Sequence, residues 1–274
     1  MHTLPFVKMH GLGNDYVYID CFSRETGSYI AKTDIPDLAR RISDRHTGVG
    51  SDGLVLILPC EGADARMRMF NADGSEAQMC GNAIRCVGKY LYESGLADSE
   101  QLVIATSAGL RRLDLRVEKG QVQTVCVEMG IPVVAHNALV LDTTPWEYID
   151  VNMGNPHAVF FSEYMISSQQ LHLLGDKISG HPHFKEGTNV EFACVRNDEE
   201  IDLRVWERGT GETMACGTGA CATVVAAIRQ GLTRRNVTVH LPGGDLEICW
   251  QGLDQPVYMT GPAATVFKGE YYLS

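Results

Sequence analysis

The stretch Ala65-Arg66-Met67-Arg68-Met69-Phe70-Asn71-Ala72-Asp73-Gly74-Ser75-Glu76, which runs on through Cys80-Gly81 to Gly95-Leu96, occurs twice in this chain. Displaced by 136 positions, segment 65–96 falls on 201–232 without a gap. Arg68 meets Arg204, Glu76 meets Glu212, Cys80-Gly81 meets Cys216-Gly217, and Gly95-Leu96 meets Gly231-Leu232. Met67, Met69 and Phe70 face Leu203, Val205 and Trp206, so side-chain character persists where identity does not. One supersecondary unit is used twice.

In each copy the opening residues alternate, Ala65–Phe70 and Ile201–Trp206, and period-two alternation with aliphatic and aromatic residues on one face predicts a half-buried strand. A polar turn with glycine follows, then the cysteine, then a helix. Ile84, Val87 and Leu91 form one apolar stripe, and Val224, Val225, Ile228 and Leu232 form the other. Gly95 and Gly231 stand where a helix takes a left-handed C-terminal residue.

Beyond the helices, Leu102–Thr106 and Val237–Leu241 read as strands, as do Leu54–Leu58, Val122–Val127, Ala158–Phe161 and Val190–Ala193. Outside the repeat the best helix signals are Asp37–Ser43 and Ser168–Leu174. Strand-rich halves with one principal helix each predict an α+β protein. Its 274 residues suit two domains, or one large one. The composition, 45% hydrophobic and 21% charged, predicts a sizeable core. The net charge of −11 argues against a nucleic-acid or anionic-membrane partner, whose phosphates draw on clustered cations. No apolar run is long enough to span a membrane and the N-terminal residues lack signal-peptide order, so a cytoplasmic protein is expected. Nine irregularly spaced cysteines without C-x-x-C indicate neither a disulfide framework nor a zinc site.

Cys80 and Cys216 stand apart from the other seven, which read as core or turn residues. Each lies at a predicted helix start, where unpaired amides and the helix dipole favour thiolate over thiol and are expected to lower the pKa. The amides of Gly81-Asn82 and Gly217-Thr218 suit a carboxylate. Two such sites related by an internal repeat suggest a thiol on either side of one substrate. Inversion at carbon needs that: a base on one face, an acid on the other. A cysteine hydrolase with His157 as base would explain only one thiol. A non-catalytic module holding an amino acid at the helix amides would need neither.

At larger scale, Lys8-Met9-His10-Gly11-Leu12-Gly13-Asn14-Asp15, Phe70–Glu76, Cys80-Gly81-Asn82, Met153-Gly154-Asn155-Pro156-His157, Trp206-Glu207-Arg208-Gly209, Ala215–Cys221 and Tyr258–Pro262 together resemble the diaminopimelate epimerase family, in order from residue 6 to about residue 270. The resemblance implies two pseudo-symmetric strand-rich barrel domains, each around a central helix, with the active site between them. Their bounds would be 1–127 with a C-terminal strand 263–274, and 128–262. It implies cofactor-independent interconversion of LL- and meso-diaminopimelate, on the route to lysine and peptidoglycan, by a homodimer with no metal. Cys80 would donate and Cys216 accept the proton in the LL-to-meso direction, with His157 and Glu207 in support. Asn14, Gly81, Asn82, Gly217 and Thr218 would bind the reacting amino-acid end. Asn71, Asn155, Asn189, Glu207 and Arg208 would bind the distal one, Arg208 by pairing with its carboxylate.

The chain departs from the family pattern at Ala83, where Cys-Gly-Asn is usually followed by glycine; only a small effect on the pocket is expected. Gly53 occupies a position where some members carry glutamine, and it is left out of the site. A racemase of the same fold acting on histidine or proline would keep both cysteines and replace the distal-end residues.

Overall fold

The computed structural model describes residues 3–273, which divide into two compact units, 3–127 with 261–273 and 128–260. The first unit contains β1 (Thr3–Gly11), β2 (Asn14–Asp20), α1 (Arg24–Ile30), α2 (Ile35–Ser43), β3 (Gly53–Leu58), β4 (Ala65–Asn71), β5 (Glu76–Ala77), α3 (Gly81–Glu93), β6 (Gln101–Thr106) and β7 (Gly109–Glu118). β8 (Gln121–Gly130) crosses the boundary. The second holds β9 (Val133–Leu141), β10 (Thr144–Asn152), β11 (Pro156–Phe161), α4 (Ser168–Ser179), β12 (Asn189–Asn197), β13 (Glu200–Glu207), β14 (Gly211–Glu212), α5 (Gly217–Arg229), β15 (Asn236–Leu241), β16 (Gly244–Trp250) and β17 (Val257–Gly261). β18 (Ala264–Tyr272) returns to the first.

Strand pairing repeats from one unit to the other. In the first, neighbours run β8-β7-β6-β4-β3-β2-β1-β18, with β6–β4 and β3–β2 parallel and the rest antiparallel. In the second they run β17-β16-β15-β13-β12-β11-β10-β9, again with the third and fifth pairs parallel. β18 is thus the counterpart of β9. The predicted α+β class holds, with two strand-rich units and one principal helix in each.

Each repeat identity has a structural reason. Arg68 forms a two-point pair with Glu76, at 2.7 and 2.9 Å, and Arg204 pairs with Glu212, its Nε donating at 3.1 Å. Both pairs brace the hairpin that leads to a cysteine, where Phe70 faces Glu76 and Trp206 faces Glu212. Gly95 and Gly231 each take φ of +73° one residue beyond the helix cap. Leu96 and Leu232 then return their amides to Leu91 and Ala227, closing the same C-terminal motif in both copies.

The helices differ from the predicted stripes. Residues 219–227 of α5 are all buried, and the helix touches β10, β11, β12, β13, β15 and β16. α3 is buried without a break from Gly81 to Gly88. A helix enclosed by its own sheet has no solvent face to mark with polar residues, which is why Ala and Gly fill α5 all round. Leu232 lies past the end of α5 and is exposed, so it does not belong to the stripe. α4 extends five residues beyond the predicted Leu174. α1, capped by Ser23, carries no apolar periodicity and was invisible to that signal. Side cores pack α2 on β2 and β3 (Leu38, Ile42, Val17, Leu54, Leu56) and α4 on β11 and β12 (Leu171, Ile178, Phe160, Phe192). Among the described residues no helix is long and apolar enough to cross a membrane.

Candidate active site

Cys80 and Cys216 are the N-cap residues of α3 and α5. Both have extended backbone, both give their carbonyl to the first helical bond (Ile84 N and Ala220 N, each 3.0 Å), and neither side chain caps its helix. The thiols are therefore left to other partners.

In the first unit Cys80 Sγ donates to Asn14 Oδ1 at 3.4 Å. Asn14 Nδ2 donates to Asp52 Oδ2 at 2.9 Å, and Arg45 bridges Asp52 and Asp15 at 2.9 and 2.8 Å. Lys8, buried on β1, pairs with Asp15 and donates to the Gly50 carbonyl. Burial alone would raise the Asp15 carboxyl, but the hydrogen bonds and charges of Arg45 and Lys8 hold it below the usual range. Burial and the Asp15 charge push Asp52 the other way. Asn82 is buried, and its Oδ1 accepts from Arg85 Nη2 at 2.8 Å. Arg85 also donates to the Gly81 and Pro262 carbonyls. Asn71, the last residue of β4, bonds to Ser75 Oγ within its own turn.

The second unit holds its cysteine deeper, at 5% exposure. Cys216 Sγ lies 3.6 Å from Thr218 Oγ1, and Asn155 Nδ2 donates to the same hydroxyl at 3.4 Å. Asn155 Oδ1 is 3.0 Å from His157 Nε2, and His157 Nδ1 is 2.7 Å from Glu191 Oε1. Glu207 accepts from Thr213 at 2.6 Å and shares a hydrogen bond with the Cys216 thiol. Asn189 is clamped by backbone, its Nδ2 donating to the Pro156 carbonyl and its Oδ1 accepting from Arg208 N, each at 3.0 Å. The exposed Arg208 guanidinium donates to the Glu186 carbonyl at 2.7 Å.

The expectation that both helix starts lower their thiol pKa does not hold at Cys216. Burial raises this thiol well above 9.0, and the charges of Glu207 and Glu191 add to the effect. The Thr218 hydroxyl and Gly219 amide work against it and lose. Burial also raises Glu207 above its ordinary 4.5.

Asp52, Arg45, Arg85 and Glu191 were not among the sequence-predicted site residues. For Glu191 the signal is strand register. Tyr16 faces Gly53 across β2–β3, and His157 faces Asn189 across β11–β12. Gly53 and Asn189 are 136 apart, so Tyr16 and His157 are counterparts, and so are Asn14 and Asn155 two residues before them. A longer β2–β3 connection in the first unit hides this from a gapless repeat search. Ala83 is fully buried, so its methyl group belongs to the core. At Gly53 a Cβ would stand 2.1 Å from the Phe70 carbonyl oxygen, which leaves no room for a side chain. Among the described residues no group of three or more His, Cys, Asp or Glu is placed to hold a metal ion.

The family model for diaminopimelate epimerase matches residues 6–135 and 149–266. A diaminopimelate epimerase of Moorella thermoacetica is 48% identical over 284 aligned positions, covering 98% of this chain and 100% of the relative. Solved structures share the fold at low identity. A hydroxyproline epimerase of Agrobacterium vitis superposes with a TM-score of 0.76 at 16% identity, covering 99% of this chain and 93% of the other. A phenazine biosynthesis protein of Bacillus anthracis gives 0.73, also at 16% identity, covering both chains in full. Taken with the paired cysteine N-caps, the full-length match places the chain in a family: it belongs to the diaminopimelate epimerases.

Proposed function

We propose that this chain interconverts LL- and meso-2,6-diaminopimelate by proton transfer at one α-carbon, using two thiols and no cofactor. The observation that carries this reading is the equivalence of Cys80 and Cys216 as N-caps of two enclosed helices. In the LL-to-meso direction Cys216, as thiolate, takes the α-proton: an S–H bond forms, the C–H bond breaks, and the electron pair passes into the α-carboxylate. Cys80 gives its proton to the opposite face. The enzyme is left with Cys216 protonated and Cys80 ionised, the state from which the reverse reaction starts.

The electrostatics support this assignment. An α-proton next to an amine and a carboxylate is weakly acidic, and a more basic thiolate removes it more readily. Burial and two carboxylates make the Cys216 thiolate such a base. Glu207, raised by the same burial and bonded to the thiol, supports the proton transfer at Cys216 in this reading. The first amides of α3 and α5, at Gly81-Asn82 and Gly217-Thr218, suit the α-carboxylate on which negative charge collects. His157 supports through Asn155, and Asn14 orients the Cys80 thiol. Asn71, Asn155, Asn189, Glu207 and Arg208 are assigned to the distal amino-acid end. Arg208 would exchange the Glu186 carbonyl for the distal carboxylate, a stronger charge-assisted partner.

In this reading the enzyme serves lysine and peptidoglycan precursor synthesis, in the cytoplasm, as a homodimer. The test is proton NMR of the reduced protein with LL-diaminopimelate in deuterated water. Exchange at the α-carbon with appearance of the meso isomer is expected, and Cys80→Ser and Cys216→Ser should each abolish turnover. No exchange by folded, reduced protein would reject the substrate, and a screen of other free amino acids would then decide whether racemisation survives as a class.

A further inference from the structure

The second unit buries a hydrogen-bonded His–Glu pair where the first buries a tyrosine and a valine. By register, His157 corresponds to Tyr16 and Glu191 to Val55, two residues beyond the matched Asn189 and Gly53. Tyr16 and Val55 pack in the core of their unit, so the fold does not require a His–Glu pair at these positions. His157 and Glu191 are both 0% exposed. Taking a carboxylate that far out of water is costly unless its partner and hydrogen bonds repay it. Yet Glu191 Oε2 is buried with no hydrogen-bond partner, and only Oε1 is engaged, by His157 Nδ1 at 2.7 Å. A residue selected for packing would not leave that atom unsatisfied.

Room for this carboxylate is made at the helix. Gly219, on the first turn of α5, has no Cβ; one placed there would lie 2.8 Å from Glu191 Oε1 and 3.3 Å from Cys216 Sγ. Its counterpart is Ala83, whose methyl is fully buried in a unit that carries Val55 in place of the glutamate. Glu191 occurs with Gly219 in one unit, and Val55 with Ala83 in the other.

From Glu191 the contacts run without a break to the thiol: Glu191 Oε1 to His157 Nδ1, His157 Nε2 to Asn155 Oδ1, Asn155 Nδ2 to Thr218 Oγ1, and Thr218 Oγ1 to Cys216 Sγ. Fixing the first link fixes the rest. Both ring nitrogens face an oxygen, and they donate to both only when the ring carries two protons; a carboxylate at Nδ1 compensates that charge, Nε2–H then donates to the Asn155 oxygen, and the Asn155 NH2 has to face Thr218. We infer that Glu191 is a positioning residue: it sets the hydrogen-bonding direction of His157 and Asn155, and through Thr218 the environment of the Cys216 thiol. This rests on the proposed role of Cys216 as the base. The other titratable groups facing the pair are Asp150 on β10, Glu207 at the end of β13, and Cys216 itself.

The test compares wild type with Glu191→Gln, which keeps shape and an acceptor but removes the charge, and Glu191→Val, which installs the residue of the first unit. Three quantities are read: the NMR signals of the Asn155 side-chain amide and the His157 ring nitrogens, the pH profile of kcat/KM for diaminopimelate, and the melting temperature. A carboxylate that sets a histidine tautomer directly at a nucleophile contributes up to about 10⁴ in turnover, so one acting through two further side chains is expected to be worth roughly 10- to 100-fold. In Glu191→Val the Asn155 amide signal should move although two hydrogen bonds separate it from the substitution, and kcat/KM should fall by that factor. In Glu191→Gln the pH profile should be displaced with the melting temperature close to wild type. An unchanged Asn155 signal together with a superimposable pH profile, whatever happens to the melting temperature, would overturn the inference. If wild type does not act on diaminopimelate at all, the proposed function fails while the Asn155 and His157 signals still decide whether Glu191 sets their orientation.

Discussion

The Asn14 amide nitrogen donates to the Asp52 carboxylate at 2.9 Å, and that bond decides which end of the Asn14 side chain faces Cys80. With the NH2 group held by Asp52, the oxygen is left to accept from the thiol. Asp52→Leu removes the acceptor and lets the amide turn, whereas Asp52→Asn keeps an oxygen in place. We expect kcat/KM to fall about tenfold in the leucine variant, equivalent to about 1.4 kcal/mol of transition-state stabilisation, and less in the asparagine variant. Steady-state kinetics of the two variants side by side checks this; equal losses would show that the orientation of Asn14 is not what Asp52 supplies.

At Gly219 the added methyl of an alanine meets a carboxylate oxygen and a thiol. Gly219→Ala should therefore cost about 1–3 kcal/mol from overpacking and lower turnover with it. The opposite exchange in the first unit, Ala83→Gly, should cost only about 1 kcal/mol of helix propensity and leave kcat near wild type. Denaturant unfolding and kinetics on the pair distinguish local crowding from a general intolerance at helix starts.

The two arginines that brace the hairpins are not equally important to stability. Arg204 is 16% exposed and also donates to the Ile166 carbonyl and Ser168 Oγ, while Arg68 is 33% exposed and gives its hydrogen bonds to Glu76. Arg204→Ala is expected to destabilise by about 2–3 kcal/mol, because it takes the arginine from a part-buried carboxylate and breaks the tie to α4. For Arg68→Ala the cost should be about 0–1 kcal/mol. Urea midpoints of the two variants give the comparison.

Burial raises the Glu207 carboxyl above its ordinary 4.5, so the folded state holds this proton more tightly than the unfolded chain does. Its contribution to stability is complete below the unfolded value and is lost as pH climbs through the folded one. Glu207→Gln removes that linkage. As pH climbs above the ordinary 4.5, the unfolding free energy of wild type should decline relative to that of the variant. A difference between the two that stays constant with pH would show that Glu207 ionises normally.

Much of the architecture was legible because the repeat preserves what the hairpin and helix ends need: an arginine, a glutamate, a cysteine and a glycine at fixed intervals. Side-chain alternation located β4 and β13 within a residue or two. Helix α1 escaped because its seven residues bury only Thr26 and Ile30 and leave no periodic stripe. The cysteines were found from local sequence, and Asn14 and Asn155 from resemblance. Glu191 was not found: in sequence it is one polar residue inside an apolar strand, and its meaning depends on which residue the parallel neighbour places beside it. Nor does local sequence reveal the depth at which Cys216 sits. A helix start predicts an acidic thiol, and only the packed structure shows that burial and two carboxylates reverse the sign.

The closing of the first unit has a consequence for how the chain is made. β1 pairs with β2 on one side and with β18 on the other, from Thr3 against Tyr272 to His10 against Ala264. A ribosome delivers β1 first and β18 only after every strand of the second unit has been synthesised. The second unit is continuous in sequence, so it has all its strands in hand while β1 still presents an open edge, the kind of surface on which nascent chains mispair. Bringing the two together also closes the longest loop in the molecule, which favours late formation. The half that leaves the ribosome first is the half that is finished last.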